Sequence, residues 1–418
     1  MPHILLLETK PIGGFEIVQA IKSKWQARVT LVTQNLDYYS LARSADAIGW
    51  SLIDETILVP DSSDATCIYP AIERLHSVTP VDAILTLLDL NVVAAADLAK
   101  NLGCFYLNPT AARNVRNKLL TRENLAKARV PQPNFALARN VAEAIDQCLK
   151  IGFPVIMKPV DGVASINVKK IENIQEAIAH AELILSHKTY GPHIRAARMV
   201  LVEEYLEGVL VSAETLTFDG KHHLLGFCDK ILSPWPTAVE LGGTFPATWI
   251  HDINDVNLVL NSALNSVGFD FGPAHTELLL TKNGPKIIEI NGRLAGGPVP
   301  NLINTALEQN IYQTVVSLHL EGRCDIALSH SCVCANRAFY VTKDGTVDSI
   351  FESPLAHTSE VVSYSLTVRP GDRVRTLQSN FDRLGFIITR GSTRHEAQSL
   401  ADKILSETKI HIKEEPTR

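Results

Sequence analysis

The chain has 418 residues, with 39 Lys and Arg against 45 Asp and Glu, a net charge of −6 and 46 % hydrophobic residues. That length predicts two to four domains with ample core, and charges of both signs scattered along the chain argue against a nucleic-acid binder built on a basic face. No apolar run approaches the roughly 18 to 20 residues of a membrane span, and MPHILLLETK reads as a first strand rather than a leader, so a cytoplasmic protein is expected. The seven cysteines include one Cys-x-Cys pair and read as free thiols.

In residues 1 to about 110, apolar runs at 4–7, 29–32, 56–59 and 83–88 read as buried strands alternating with helices, the pattern of a parallel α/β sheet. Gly13-Gly14 after the first strand is either a tight turn or a place where backbone approaches a phosphate, and it lacks the GxGxxG spacing of a nicotinamide site. From about 111 a basic, Asn-rich helix (NVRNKLLTRENLAKARV) is stopped by the prolines of PQPNF. Val141, Ala144, Ile145, Cys148 and Leu149 then repeat at helical spacing, Gly152 ends that helix, and a strand from Pro154 delivers Lys158 to its end. A long α/β stretch runs to about 325. Beyond it, AFYVTKDGTVDSIF has a hairpin signature, and DRLGFIITRGSTRHEAQSLADKIL reads strand, turn, helix.

The strongest local pattern is HTELLLTKNGPKIIEINGR, residues 275–293: two strands joined at Lys282, Asn283 and Gly284. A two-residue Asn-Gly turn would set Glu277 and Glu289 on opposite faces. A three-residue loop with Gly284 left-handed pairs Thr281 with Pro285 and sets Glu277 across from Glu289, so that Glu277, Glu289, Asn291 and Arg293 share one face. Carboxylates facing each other repel unless a cation lies between them, and oxygen-only ligands on a strand pair suit Mg²⁺. The alternative is a surface hairpin with Glu–Arg pairs, against which the apolar flanks ELLLT and KIIEI stand.

Two further patterns carry chemistry. In KPVDGVASINV, Lys158 precedes a loop in which Gly162 permits positive φ and the small Ala164 and Ser165 let N–H groups approach an anion, although a lysine before a turn is also an ordinary solvated charge. In VLVEEYLEG a strand runs into a short link whose backbone can present an N–H and a C=O to a purine edge.

Taken in order, Lys118, Lys158 with its loop, Glu203-Glu204-Tyr205-Leu206, and Glu277 with Glu289, Asn291 and Arg293 resemble the ATP-grasp superfamily over nearly the whole chain. The resemblance implies an α/β and α+β multidomain protein with a Rossmann-like N-terminal parallel domain at 1–110. An ATP-grasp domain would follow at 111–325, with a small lid at about 120–202 and a large subdomain at about 203–325, then a biotin-carboxylase-like C-terminal domain at 326–418. It implies that Lys118 and Lys158 contact ATP phosphates, Gly162, Ala164 and Ser165 form the phosphate loop, Glu203 takes the adenine amine, and the Glu204 and Leu206 backbone completes the purine edge around Tyr205. Glu277, Glu289 and Asn291 would bind two Mg²⁺, with Mn²⁺ as a substitute, and Arg293 would steady the phosphoryl-transfer transition state. Many relatives carry a ribose-binding Glu where this chain has Leu210, which leaves Glu207 or Glu214 for that contact.

Within the superfamily, FCDKILSPWPTAVELGGTFPA and the 272–297 segment look most like the L-amino acid ligases. Lys230, Glu240 and His275 fall where that group keeps substrate-facing polar residues, and Glu240 would hold a substrate ammonium. Gly243 stands where the group often has His. Leu294, Ala295, Gly296 and Gly297 are small enough to admit a second substrate's amine. The resemblance thus implies a homodimeric ligase that activates a small carboxylate as an acyl phosphate and couples it to an amine. A bicarbonate- or formate-activating enzyme and a non-catalytic ATP-binding regulator are the alternatives.

Overall fold

In the computed structural model, which describes residues 1–11, 13–40, 47–235, 237–250, 252–326 and 328–413, the chain opens with four parallel strands in the order Glu55–Leu58, Arg28–Thr33, His3–Leu7, Ala83–Leu85. From Ile4 to Leu7 the first strand is apolar because both its faces are covered. Ile4 and Leu6 pack into a core shared with helices Glu16–Trp25, Val299–Leu307 and Ile311–Glu321, while Leu5 and Leu7 pack into a second core with Ala65–Val78 and Val92–Leu102. Glu55–Leu58 corrects the expectation of a buried strand at 56–59: it is an edge strand of alternating burial, and Leu58 is largely exposed. Strand Ala83–Leu85 ends sooner than expected, and its carboxyl end leads into Asp89. The loop after His3–Leu7 carries Lys10, so both polar groups stand where open α/β sheets bind ligands.

The basic segment expected as one helix is two, Pro109–Arg116 and Lys118–Lys127. Asn117 breaks it, because its side chain accepts from the backbone N–H groups of Leu119 and Leu120 and caps the second helix. Lys118 thereby becomes the first residue of a helix, and Arg122 lies one turn on. Next comes an antiparallel sheet, Phe135–Ala138, Val200–Glu204, Val155–Pro159, Lys169–Ile171, backed by helices Val141–Ile151 and Ile174–Ser186. A second antiparallel sheet, Lys221–Asp229, Val209–Phe218, Gly272–Thr281, Gly284–Asn291, carries Glu214, Glu277 and Glu289.

The last large sheet runs Ile231–Leu232, Glu240–Phe245, Val333–Phe339, Gly385–Gly391, Val361–Leu366, so the segment bearing Glu240 is woven into the C-terminal part of the chain. The hairpin expected at 338–351 does not form. Val333–Phe339 pairs with Gly385–Gly391, whereas Gly345–Phe351 crosses to a three-stranded sheet with Arg373–Val374 and Lys409–Lys413. Apolar alternation marked both strands, but each finds its partner far along the chain. Strand Gly385–Gly391 followed by helix Arg394–Glu407, capped by Thr393, is as expected.

Replacing Asn117 with Ala is expected to cost about 1 kcal/mol through loss of the cap. A fall in melting temperature of the purified variant checks this.

Candidate active site

The Glu277–Glu289 juxtaposition forms, but by a different route from the one expected. Thr281 pairs with Gly284 across a two-residue turn, Lys282-Asn283, whose Thr281 hydroxyl donates to the Gly284 carbonyl at 2.8 Å. Continued without interruption, that register would set Glu277 opposite Ile288. A β-bulge there absorbs Ile288, and beyond it Glu277 faces Glu289 and His275 faces Asn291. Ser212 and Glu214 of the neighbouring strand lie opposite Glu277 and His275. Two rows of polar side chains, Ser212–Glu277–Glu289 and Glu214–His275–Asn291, therefore cover one face of this sheet.

Arg122 holds the bulge. Its guanidinium is 1 % exposed and donates to the Ile287 carbonyl at 2.8 Å, to the Ile288 carbonyl at 2.7 Å and, through Nε, to Glu203 Oε1 at 2.6 Å. Glu203 Oε2 takes Lys158 Nζ at 2.8 Å. Burial alone would raise the Glu203 pKa, but the two cations outweigh it and hold the carboxyl down at about 2. This changes the expectation for Glu203: its carboxylate is already committed to two cations and is not a free acceptor for an adenine amine. Glu204 donates its N–H to the Asn134 carbonyl, and Lys170 sits 4.5 Å over the Tyr205 ring. Leu206 is half-buried in the link that follows.

Lys118 Nζ donates to the Gly162 carbonyl at 2.9 Å and pairs with Glu289 Oε1 at 3.1 Å, so it joins the loop to the acidic face. Within the loop, positive φ belongs to Ala164, Ser165 and Asn167 rather than to Gly162. Gly162 is needed for space, since a Cβ there would lie 2.8 Å from the Pro159 ring. Successive left-handed residues turn backbone N–H groups inward, which suits an anion. Arg293 pairs with Asp89 from the parallel sheet. Turned so that its nitrogen donates, the Asn291 amide reaches Asp89 Oδ1 and Glu289 Oε1, each at 3.1 Å. A narrow cleft lies among Asp89, Arg116, Gly162, Glu289 and Asn291.

His275 shares the face of Glu277, as its spacing implies. Its Nδ1 lies 2.7 Å from Glu214 Oε1 and its Nε2 3.6 Å from Glu277 Oε1. Burial works against a charged ring, but the Glu214 carboxylate, with help from Glu277, prevails and raises the pKa to about 9. Glu277, disfavoured by burial as an anion, is kept ionised well below its usual range by His275. Glu214, a candidate for the ribose, is buried and spent on His275; Glu207 is exposed. Lys230 Nζ pairs with Glu240 Oε1 at 2.9 Å and holds that half-buried carboxyl below its ordinary value against the opposing effect of burial.

Among the described residues, no three His, Cys, Asp or Glu side chains converge as a preformed metal cluster. Glu277 and Glu289 across one ladder with Asn291 beside them are nevertheless the donor set Mg²⁺ takes: two carboxylates and an amide, with remaining positions left to water and phosphate oxygens. Sequence reasoning missed Arg122, Asp89 and Ser212. Arg122 had a signal, its i,i+4 spacing from Lys118 on one helix face; Asp89 and Ser212 had none, since their partners lie far away in sequence.

Comparison with known proteins matches two domain models to this chain. The ATP-grasp domain model matches residues 151–301, and the L-amino acid ligase C-terminal domain 2 matches residues 337–413. The protein y4rH of Sinorhizobium fredii (strain NBRC 101917 / NGR234) is 25 % identical over 403 residues, covering 96 % of this chain and 81 % of that one. The L-arginine-specific L-amino acid ligase of Bacillus subtilis is 21 % identical over 372 residues, covering 87 % and 88 %. The crystal structure of L-amino acid ligase from Bacillus licheniformis superposes with a TM-score of 0.82 over 99 % of both chains at 20 % identity. Residues 151–301 thus match an ATP-grasp domain, and the relatives and structural neighbours of the chain include carboxylate–amine ligases. Residues 337–413 match the second C-terminal domain of L-amino acid ligases. ATP and Mg²⁺ are what ATP-grasp domains use generally. No helix among the described residues is long and apolar enough to cross a membrane.

Two predictions follow from the ion pairs. Arg122→Gln leaves Glu203 half-paired and two bulge carbonyls without donors, a loss of about 3–5 kcal/mol; a lower melting temperature and a raised KM for ATP check it. Because the folded pKa of His275 lies above its ordinary 6.5, its stabilisation is complete below about pH 6.5 and is lost as pH rises through about 9. Melting temperatures from pH 6 to 10 should therefore fall more steeply for the wild type than for His275→Gln.

Proposed function

We propose that this protein is an ATP-dependent ligase that activates the carboxylate of one small molecule as an acyl phosphate and joins it to the amine of an amino acid, releasing ADP and phosphate. The observation that carries the reading is the acidic face itself. Glu277, Glu289 and Asn291 stand beside Lys118 and Arg293, with Lys158 tied to the same sheet through Glu203 and Arg122 and the half-buried Lys230–Glu240 pair on neighbouring strands, a grouping that suits a phosphate and a charged substrate together.

A carboxylate is a poor electrophile and is repelled by a triphosphate, so positive charge must neutralise the pair before they meet. Lys118 and Lys158 supply it for the phosphates, and the Ala164–Ser165 loop contributes N–H groups. Mg²⁺ held by Glu277, Glu289 and Asn291 would neutralise phosphate charge and lend Lewis acidity. Attack of the carboxylate oxygen on the terminal phosphorus forms one C–O–P link as ADP leaves, and Arg293 steadies the charge that develops. The amine then attacks the acyl carbon; the C–N bond forms as the C–O bond to phosphate breaks.

Glu240, kept ionised by Lys230, suits an ammonium on the carboxylate donor. The positive His275 lies between Glu214 and Glu277 and holds the Glu277 carboxylate in place. Closure of the sheet that carries Lys158 would exclude water from the acyl phosphate. Homodimerisation and action in the cytoplasm, where ATP and Mg²⁺ are supplied, belong to the same reading.

The test is phosphate release from MgATP across a matrix of carboxylic acids and amino acids, with product masses read in parallel. Release that needs two substrates and yields a mass equal to their sum minus water is the expected result, with activity falling at least 100-fold in Arg293→Ala. ATP binding without turnover throughout a broad matrix would instead favour a regulator, and bicarbonate-stimulated ATP hydrolysis would favour a carboxylating enzyme.

A further inference from the structure

Leu90 carries an apolar contact between parts of the chain that are distant in sequence. It lies in the short turn Asp89–Asn91, after strand Ala83–Leu85, and packs with Tyr190 and Ile194 of a small hairpin, Thr189–Tyr190 with Ile194–Arg195. That hairpin stands between helix Ile174–Ser186 and strand Val200–Glu204. Val163 and Ile166 of the loop after Lys158, with Ala196, complete the cluster, which is separate from the core of the sheet bearing Lys158. Leu90, Tyr190 and Ile194 are buried, and a Cβ on Gly191 at the hairpin tip would come 2.9 Å from Leu90 Cδ1.

Hydrogen bonds brace this contact from both sides. Gln34, just past strand Arg28–Thr33, donates its side-chain amide to the Pro192 carbonyl in the hairpin, while its Oε1 accepts from Ser62 N at 2.7 Å and Ser62 Oγ at 3.0 Å. Asn91 donates to the Ser62 carbonyl at 2.7 Å, so a polar chain runs from the hairpin back to the residue beside Leu90. On the loop side, Asp161 Oδ2 accepts from Ala197 N at 2.6 Å, and Arg116 donates to the Asp161 carbonyl at 2.6 Å. Leu90 also follows Asp89, whose carboxylate pairs with Arg293 and accepts from the turned Asn291 amide. Six apolar side chains make a small contact, one that can part and re-form without unfolding a core.

From this arrangement we infer that Leu90, braced by Gln34, is a positioning residue: it clasps the Thr189–Arg195 hairpin against the parallel sheet and so holds the loop after Lys158 shut over the acidic face. The inference rests on the ligase reading above and adds what keeps the loop closed, an apolar clasp outside the cleft in addition to any bound nucleotide. Asp89 and Leu90 are neighbours in one tight turn, so the backbone that orients Arg293 also receives the hairpin, and closure is tied to the placement of Arg293. Water that reaches an acyl phosphate returns carboxylate and phosphate with no amide made, so a parted clasp shows as phosphate released in excess of amide.

The experiment compares the wild type with Leu90→Ala, Leu90→Met and Gly191→Ala, the last with and without Leu90→Val. Trypsin cutting after the exposed Lys188 and Arg195 is timed in saturating MgADP, and phosphate and amide are counted with the best substrate pair from the matrix. Leu90→Ala should be cut about 10-fold faster than the wild type and should release about two phosphates per amide against about one, with a raised KM for ATP. Leu90→Met keeps the bulk and should stay close to the wild type. Gly191→Ala crowds Leu90 and should be cut faster, and Leu90→Val beside it should return part of the protection, a compensation that strain at the positive φ of Gly191 would not give. Equal cutting of the wild type and Leu90→Ala, or an equal ratio of phosphate to amide in both, would overturn the clasp; if Leu90→Ala fails to fold, the Gly191 variants decide. Cutting in MgADP needs no turnover, which separates this from the parent reading. Faster cutting of Leu90→Ala with no amide from any pair in the wild type removes the ligase reading and leaves the clasp, whereas amide formation with equal cutting removes the clasp alone.

Discussion

One buried guanidinium sets the geometry on which the rest depends. Arg122 reaches from the capped helix to two other pieces of chain, giving one hydrogen bond to Glu203 on its strand and two to carbonyls of the bulged strand bearing Glu289. An arginine is suited to this because its planar fork offers several donors in fixed directions and stays charged when buried. Two of those donors satisfy carbonyls exposed by the bulge, and the third fixes the carboxylate that in turn fixes Lys158. Lys158 and Glu289, on different sheets, thus share a single support.

The bulge has a wider consequence. Side chains alternate along a strand, so one absorbed residue moves everything beyond it to the other face. Without the extra place taken by Ile288, Glu289 would leave the face of Glu277, and the Asn291 side chain would leave that of His275. The site therefore rests on a local irregularity held by tertiary contacts, which is how a sheet can keep ordinary apolar packing toward the Ile287 and Leu278 core while presenting carboxylates on its other side.

Charge across the cleft is arranged in pairs: Lys118 with Glu289, Lys158 with Glu203, Lys230 with Glu240, Arg293 with Asp89, and His275 between Glu214 and Glu277. Buried ions are costly alone, and pairing offsets that cost without substrate present. Cations already in position need little rearrangement when an anion arrives, the condition under which electrostatic stabilisation is most effective.

Much of this was legible in the sequence, because local chemistry determines it. The alternation of apolar runs marked the parallel sheet, Gly152 and Pro154 marked a helix end and the strand carrying Lys158, and the spacing of Glu277, Glu289, Asn291 and Arg293 marked a shared face. The sequence read that face correctly through the wrong turn, since a three-residue loop and a two-residue turn with a bulge shift the register alike. What the tertiary structure decided were choices made between distant segments: which strands accompany Glu240, where Gly345–Phe351 finds its partners, and which carboxylates neutralise which cations. Glu203 and Glu214 are plain acids in sequence; only in the fold do Arg122, Lys158 and His275 reach them, because an ion pair depends on separation in space and burial, neither of which is encoded by neighbours along the chain.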